Sequence, residues 1–240
     1  MRVERCFAFV DLCGFTAFTE RYGDEHTVVV LASFRTTLRE IAARRGVRIT
    51  KWLGDGAMLS SPDTEATVAM VLEVAAHADT MLVIPGRGPK PRPADQGAGE
   101  TADEGLAIRA GLARGPVIMF EGDDYIGRAT NMASRLCDAA TPGQVLATRE
   151  VAAVSPRWVA ASEALAYPVR GFDKPLQAVR LAIATSVTMV TDPTCGLRIP
   201  QVSGLVTRWK GDGGEEHFCS AACALAWEQA QRQSSAGLLP

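Results

Sequence analysis

The sequence predicts an α+β fold in which strands and helices follow the order βαββαβ, with additional elements after this unit. The first observation is a hairpin at residues 47–60 (VRITKWLGDGAMLS), which read as two strands joined across Gly54-Asp55-Gly56. Glycine beside a polar residue between β-rich runs is typical of tight turns. The second is helical spacing of apolar side chains on both sides of this hairpin, and the third is renewed strand character from residue 106. From this order we expect an antiparallel-rich sheet with its helices on one face.

The first half of the chain is predicted as strand, helix, hairpin and helix. A strand-like run at residues 6–10 ends at Asp11, and the following helix ends with Arg-Arg-Gly at 44–46, where positive charge and glycine suit a helix C-terminus. The second helix begins with Pro-Asp-Thr at 62–64. Residues 83–105 are rich in proline, glycine and charge, so we expect a flexible loop there.

The second half is predicted as a further series of strands and helices. The expected segments are a strand at 106–112, a turn at Gly115-Pro116, a strand at 117–120, a polar loop at 121–127, a helix at 128–140, a strand at 144–148, a largely helical stretch at 149–164 and strand character at 169–181. We expect residues 1–184 to form the main domain, 185–191 a linker, 192–230 a small module and 231–240 a disordered tail. The module is too small for a good core without a metal or a partner.

Length, composition and charge limit the class of protein. The chain has 240 residues, of which 47% are hydrophobic and 22% charged, as is typical of a globular protein with one sizeable domain and a small addition. A formal net charge of -2 argues against a general nucleic-acid or anionic-membrane binder, because both usually carry a basic excess. Neither a signal peptide nor a membrane span is predicted, so we expect a cytoplasmic protein.

Two acidic residues lie where strands are predicted to end, Asp11 after the first strand and Asp55 at the hairpin turn. Mg²⁺ takes oxygen ligands from one or two carboxylates and leaves other positions to water and phosphates, so this pair suits a metal site for phosphate chemistry. Asn131 and Arg135 are four residues apart on a predicted helix and therefore share one face. Taken singly, each residue has a plainer interpretation, such as turn geometry for Asp55 or a surface charge for Arg135.

Several segments in a fixed order resemble the signature stretches of class III nucleotidyl cyclases. These segments are FVDLCGFT, KWLGDGAM, IRAGLARGPV and DDYIGRATNMASRL, and VRGFDKPLQAVRL resembles that family's closing strand pair. The resemblance covers about residues 2–182 and implies a ferredoxin-like βαββαβ catalytic domain with extra C-terminal elements. It also implies that Asp11 and Asp55, together with the Leu12 carbonyl, hold two Mg²⁺ or Mn²⁺ ions.

The same resemblance assigns the nucleotide-binding side chains. Lys51 and Asp124 match the pair that reads the adenine edge, Asn131 the residue that orients the ribose, and Arg135 the one that stabilises the pentavalent phosphate. A guanine-specific relative would usually carry Glu and a small residue such as Cys in place of Lys51 and Asp124, so ATP is the favoured substrate. The resemblance also implies a homodimer in which one subunit supplies the two acids and its partner the other four side chains. A separation of ~13 Å between Lys51 and Asp55 along a strand agrees with such sharing.

The C-terminal cysteines predict a second metal site. In a chain without an export signal, clustered cysteines indicate a metal more often than a disulfide. Cys195, Cys219 and Cys223, within DPTCG and HFCSAAC, resemble a YHS/TRASH-like metal-binding module. Three thiolates suit Zn²⁺ or Cu⁺, with His217 and Asp192 as candidates for a fourth ligand. Three buried cysteines without a metal are the alternative.

Together these observations predict an adenylate cyclase that converts ATP to 3′,5′-cyclic AMP and pyrophosphate by a two-metal mechanism at a homodimer interface. Metal binding to the small module at 192–230 is a candidate modulator of this activity. Two alternatives remain open: a guanylate cyclase, and a non-catalytic nucleotide- or metal-sensing module with a cyclase-like fold.

Overall fold

The computed structural model describes residues 1–78, 106–121, 124–209 and 214–236, so the loop predicted at 83–105 lies outside the described residues. Nine strands of this part of the chain form one sheet: β1 Arg2–Cys13, β2 Arg48–Leu53, β3 Gly56–Ser61, β4 Ala107–Phe120, β5 Asp124–Ile126, β6 Val145–Thr148, β7 Val159–Ala161, β8 Leu165–Tyr167 and β9 Leu176–Ile183. Their order is β2-β3-β1-β4-β6-β9-β7, with β5 added to β4 and β8 to β9. Every pairing is antiparallel except that of β4 with β6, which confirms the predicted α+β class.

The helices lie on both faces of this sheet, and the expectation of helices on one face was wrong. They are α1 Phe15–Arg45, α2 Thr64–Ala76, α3 Arg128–Ala139 and the short α4 Arg149–Ala152. Side chains of β1 alternate between two cores: the main one shared with α1 and α2, and a second one shared with α3. The main core takes Cys6, Ala8, Val10 and Leu12, and the second takes Phe7 and Phe9. Because β1 is apolar on both faces, it needs cover on both.

The predicted hairpin between β2 and β3 is formed, with a two-residue turn in place of the three-residue connection Gly54-Asp55-Gly56. Leu53 pairs with Gly56, which leaves Gly54 and Asp55 at the turn. Gly54 has a φ of 65°, and a positive φ at the first turn position is what a type II′ turn requires. The Arg35 guanidinium of α1 donates a hydrogen bond to the Gly54 carbonyl at 2.9 Å. Local turn chemistry and this contact together position Asp55.

Two strand limits differ from the prediction. Asp11 lies within β1 and not after it, because β4 pairs with β1 along its whole length, from Arg2 to Cys13. No turn is formed at Gly115-Pro116, through which β4 runs continuously. Proline can occupy this position because the other edge of β4 pairs with β6 only at 110–112 and with β5 only at 118–120.

The segment at residues 149–164 is mostly not helical, contrary to the prediction. Helix α4 ends at Ala152, and β7 follows the buried Trp158. Pro156 cannot continue a helix, and the next residues pair with β9 instead.

The C-terminal part forms two small sheets and a helix: β10 Met189–Thr191 with β11 Arg198–Pro200, β12 Val206–Trp209 with β13 Glu215–Phe218, and α5 Ala221–Ala236. Strand β10 occupies part of the expected linker. Helix α5 packs against α1, β12 and β13, and it continues with exposed residues past the expected start of disorder at 231. Leu197, Phe218 and Cys223 belong to the same buried cluster as the core of α1 and α2. Among the described helices, we find none with both the length and the apolar character of a membrane span.

Candidate active site

Asp11 lies on the central strand β1, on the sheet face that α3 covers, and is held by an arginine of the next strand. Asp11 and Arg109 are directly paired between β1 and β4. The Arg109 Nε and Nη2 atoms donate to the Asp11 Oδ2 atom at 2.9 and 2.7 Å. A two-pronged guanidinium–carboxylate contact fixes the orientation of both groups. Asp11 is therefore a fixed carboxylate beside a fixed cation.

The second acid, Asp55, stands next to Asp11 because Gly56 permits close approach of the hairpin. A Cβ atom at Gly56 would lie 2.7 Å from the Val10 carbonyl oxygen and 3.1 Å from the Asp11 Oδ1 atom. Burial raises the pKa of Asp55, and the negative charge of Asp11 raises it further. Two carboxylates that repel each other in this way are suited to a divalent cation, which offsets both charges. The donor set thus fits Mg²⁺ or Mn²⁺, the ions that the resemblance of the sequence implies.

A cleft of about 310 Å³ opens beside these groups. Its lining includes Asp11, Leu53, Gly56, Arg109, Ser134 and Asp138, contributed by β1, the hairpin, β4 and α3. The cleft therefore brings together the metal-binding candidate Asp11, the Arg109 guanidinium and the helix that carries Asn131 and Arg135.

The predicted base-reading residues Lys51 and Asp124 are in direct contact. The Lys51 Nζ atom lies 2.8 Å from the Asp124 Oδ1 atom, although the residues are 73 positions apart in sequence. The hydrogen bond from Lys51 is the main cause that lowers the pKa of Asp124, and the positive charge of Lys51 lowers it further. About half of each side chain is exposed, 45% for Lys51 and 49% for Asp124, so both remain accessible to a ligand.

The other two predicted residues lie on α3. Asn131 is exposed, and Arg135 is half-buried with its Nη1 atom 2.8 Å from the Asp138 Oδ2 atom. Since Asp138 also lines the cleft, Arg135 lies beside it. Leu12, whose carbonyl was expected to bind metal, has a buried side chain in the main core.

Arg109 was not singled out from the sequence. The one available signal was a charged residue inside the otherwise apolar run AIRAGLA. Its contact with Asp11 depends on the register between β1 and β4, which the sequence does not specify.

The C-terminal part of the chain from residue 192 onwards, called the tail from here on, contains a compact set of possible metal ligands. One ligand atom from each of Asp192, Cys195, Cys219 and Cys223 lies within 4.8 Å of the others. His217 is outside this set, and its Nε2 atom lies 3.3 Å from the Gln201 side-chain nitrogen. Side chains alternate along β13, so the buried Phe218 points to the core and His217 points away. Of the two candidates for a fourth ligand, Asp192 lies with the three thiols and His217 does not.

The Asp192 carboxylate is fully buried and already accepts three backbone hydrogen bonds. Its Oδ1 atom accepts from the N–H groups of Thr194 and Cys195 at 2.8 and 3.3 Å, and Oδ2 accepts from the N–H of Cys219 at 2.8 Å. A carboxylate has further lone pairs available for a cation. The sulfur atoms lie 3.7 Å apart for Cys195 and Cys219 and 3.6 Å apart for Cys219 and Cys223. Three thiols at these spacings fit a soft cation.

The family to which the chain belongs follows from a comparison with known proteins. Residues 3–177 match the model of the adenylate and guanylate cyclase catalytic domain. The chain therefore belongs to the class III cyclase family, and the cyclase domain is that of a lyase.

Individual relatives agree with this assignment. An uncharacterized protein of Mycobacterium tuberculosis is 31% identical over 173 residues, which cover 72% of this chain and 40% of the relative. An adenylate cyclase of Streptomyces coelicolor is 33% identical over 141 residues, which cover 58% of this chain and 30% of the relative. The chain thus spans well under half the length of these curated relatives.

Solved cyclase structures share the fold. The adenylyl cyclase CyaB from P. aeruginosa superposes with a TM-score of 0.62 at 24% identity, covering 77% of this chain and 96% of that structure. The guanylate cyclase domain of RhGC from Catenaria anguillulae gives 0.62 at 19% identity, covering 77% of this chain and 100% of that domain.

Proposed function

We propose that this chain is an adenylate cyclase that converts ATP to 3′,5′-cyclic AMP and pyrophosphate. The main support for an adenylate cyclase, as against a guanylate cyclase, is the 2.8 Å contact between Lys51 and Asp124. This contact supports the proposal that the two side chains recognise the base together, with Lys51 as the donor and Asp124 as the acceptor. The adenylate cyclases among the relatives agree with the same choice.

The chemistry of the two purines explains why this pair favours adenine. The Watson–Crick edge of adenine presents an amino donor beside a ring-nitrogen acceptor, and these match the Asp124 carboxylate and the Lys51 ammonium. Guanine presents an oxygen acceptor and a ring N–H at the corresponding atoms. A guanine placed in the same way would direct its oxygen at the carboxylate, and buried groups of like polarity are costly to bring together.

Asp11 and Asp55 would hold Mg²⁺ or Mn²⁺, with the Leu12 carbonyl as a third ligand. When bound, these ions supply Lewis acidity and charge neutralisation for the attack of the 3′-hydroxyl on the α-phosphorus. In this reaction the 3′-oxygen forms a bond to the α-phosphorus while the bond to the pyrophosphate oxygen breaks. Arg109, held beside Asp11, is placed to offset negative charge on the triphosphate.

Residues of α3 would act on the ribose and on the reacting phosphorus. We assign to Asn131 the orientation of the ribose, through its amide hydrogen bonds, and to Arg135 the stabilisation of charge on the phosphoryl oxygens. Arg135 pairs with Asp138 in the free protein and has to exchange this partner for phosphate. We propose that the two acids and these α3 residues meet across a homodimer, so that each of two sites draws on both subunits.

The C-terminal residues from 192 onwards would form a metal-binding module attached to the cyclase domain. The set of three thiols and one carboxylate suits Zn²⁺ better than Cu⁺, because Cu⁺ is softer and prefers sulfur alone. Hydrogen bonds from the Cys195 and Cys219 thiols lower the pKa of Cys223. A thiolate is the form that binds metal.

The test is a cyclase assay on the purified chain with Mn²⁺ and either ATP or GTP. We expect cyclic AMP from ATP, little cyclic GMP from GTP, and weak competition by GTP. Preferential formation of cyclic GMP would identify a guanylate cyclase, and the absence of any cyclic product from the purified dimer would support the non-catalytic alternative.

A further inference from the structure

The thiol cluster of the tail lies directly against a cation of the cyclase domain. Arg45, the last residue of α1, has a side chain that is 0% exposed. Its Nη2 atom donates to the Cys219 sulfur at 3.1 Å and lies 3.9 Å from the Cys195 sulfur. Its Nη1 atom donates to the Ser220 hydroxyl at 3.3 Å, and its Nε atom donates to Glu73 of α2 at 2.6 Å. One guanidinium therefore joins α1, α2 and the tail.

The role of Arg45 is not explained by Glu73 alone. Glu73 is buried and also forms an ion pair with Arg44, the preceding residue of α1. One arginine suffices to offset one carboxylate, and Arg44 is the more exposed of the two, at 22%. Burying a second guanidinium is costly unless another negative charge faces it. The groups opposite Arg45 are the sulfur atoms of the tail.

Other cyclase-domain groups hold the segments that carry the cysteines. Trp158 donates its Nε1–H to the Cys219 carbonyl at 2.8 Å, and the Nε2 atom of His77 lies 3.0 Å from the Cys195 carbonyl oxygen. Trp158 is buried in the main core. The positions of two of the three thiols are thus set by the cyclase domain as well as by the tail.

We propose that the metal site of the tail is an interdomain site, completed by Arg45 of the cyclase domain as a positioning and charge-compensating residue. A divalent cation bound by three thiolates carries a net negative charge, and a buried guanidinium that donates to a ligand sulfur offsets it. Groups that hydrogen-bond to metal ligands fix their orientation and strengthen binding. Metal binding then holds the tail on α1 and α2. The inference depends on metal binding by the tail and is independent of cyclase activity.

The test uses the full-length, reduced, metal-free protein and measures Zn²⁺ affinity by competition with a chelator. Absorption of the Co²⁺ complex provides a second measure, since thiolate coordination gives a charge-transfer band. The variant is Arg45→Met, and Arg44→Met is the matched control, because Arg44 shares the Glu73 partner and acts on Cys195 and Cys223 only through its charge, whereas Arg45 donates to the Cys219 sulfur. We expect wild type to bind one equivalent of Zn²⁺, Arg45→Met to bind about 10- to 100-fold more weakly, and Arg44→Met to lose clearly less affinity than Arg45→Met.

Calorimetry provides the readout of coupling between the domains. Zn²⁺ should raise the Tm of the cyclase domain in wild type and in Arg44→Met, and raise it less in Arg45→Met. If Arg45→Met does not fold, Arg45→Lys and Arg44→Lys replace the two methionine variants. Lysine keeps the charge but not the fork, so a several-fold loss of Zn²⁺ affinity is expected for Arg45→Lys alone.

Three outcomes would overturn the inference. A Zn²⁺ affinity of Arg45→Met equal to that of wild type would show that the tail binds the metal without help from Arg45. A Zn²⁺ complex that leaves the Tm of the cyclase domain unchanged would show that the two are not linked. Wild-type protein that binds no Zn²⁺, or forms a disulfide instead, would exclude the tail metal site as well. None of these three outcomes would count against the proposed cyclase activity, which is tested separately.

Discussion

The two carboxylates predicted to bind metal, Asp11 and Asp55, have unlike surroundings. Asp11 is paired with Arg109 through two hydrogen bonds. Asp55 has a raised pKa, caused first by burial and then by the charge of Asp11. Burial and the charge of Asp11 therefore make the ionised form of Asp55 less favourable in the folded protein than in the unfolded chain. Sites that bind cations commonly retain such strain, because the ion removes it.

Replacement of Asp55 by Asn should separate stability from activity. The folded-state pKa of Asp55 lies above its ordinary value of 3.8, so its stabilising contribution is present in the protonated form and is lost as the pH rises through the folded-state pKa. Without divalent metal, Asp55→Asn should be at least as stable as wild type at neutral pH, and its advantage should shrink on acidification. Mn²⁺ should raise the Tm of wild type but not of the variant, and the variant should lose cyclase activity.

The exposed Asp24 of α1 provides the control for this experiment. Asp24→Asn should retain both the Mn²⁺-dependent rise in Tm and the activity. An Asp55→Asn variant that is clearly less stable than wild type in metal-free, neutral buffer would contradict the argument from charge.

The Lys51–Asp124 pair makes a prediction about specificity. Asp124→Ala removes the acceptor for the adenine amino group, so we expect kcat/KM for ATP to fall by roughly 10- to 100-fold. The rate with GTP should fall less, because that base gains nothing from the carboxylate. The measurement is the ratio of the two kcat/KM values, with GTP as the internal control. An unchanged ratio would mean that Asp124 does not contact the base.

At the scale of secondary-structure elements, the site depends on the close contact between α3 and β4. A Cβ atom at Gly111 of β4 would lie 2.1 Å from the Cys137 backbone nitrogen and 2.3 Å from the Ala133 carbonyl oxygen. Both atoms belong to the backbone of α3 and cannot move without displacing the helix. Glycine at this position therefore sets the distance between the helix that carries Arg135 and the strand that carries Arg109.

Gly111→Ala should displace α3 and destabilise the domain by ~3 kcal/mol, because extra volume in a close-packed contact is accommodated only by backbone shifts. Gly115→Ala on the same strand is the matched control, since its Cβ would meet the Ala129 Cβ of the same helix at an ordinary 3.5 Å. Chemical denaturation of both variants tests the difference. Similar stabilities for the two variants would contradict the role assigned to Gly111.

At the scale of the whole molecule, the proposed homodimer makes a prediction about mixed subunits. Asp11→Ala and Arg135→Ala should each be inactive alone, because each removes a group from both sites. A mixture should regain about a quarter of wild-type activity, since half of the dimers are mixed and one of their two sites is intact.

A mixture of Asp11→Ala with Asp55→Ala is the control for this experiment. Both variants are defective in the same half of the site, so no combination of subunits restores it. Failure of the first mixture to regain activity, although exchange of subunits is demonstrated, would exclude the shared site.

Features that depend on neighbouring residues were predictable from the sequence. Turn chemistry, capping and periodicity act over a few positions, and they account for the Gly54-Asp55 turn, the N-cap of α2 at Asp63 and the presence of helix α3. The order of the segments was sufficient to identify the fold class, and the grouped cysteines indicated a compact site. Each of these signals lies within a short stretch of chain.

Only the tertiary structure decided which distant groups meet. Arg109 contacts Asp11 across 98 positions, and Arg45 contacts Cys219 across 174. Helix α3 lies on the opposite face of the sheet from α1, and of the two candidate fourth ligands Asp192, not His217, lies with the three thiols. These contacts depend on strand register and on the packing of apolar faces, which are properties of the whole chain and leave no local pattern in the residues that they bring together.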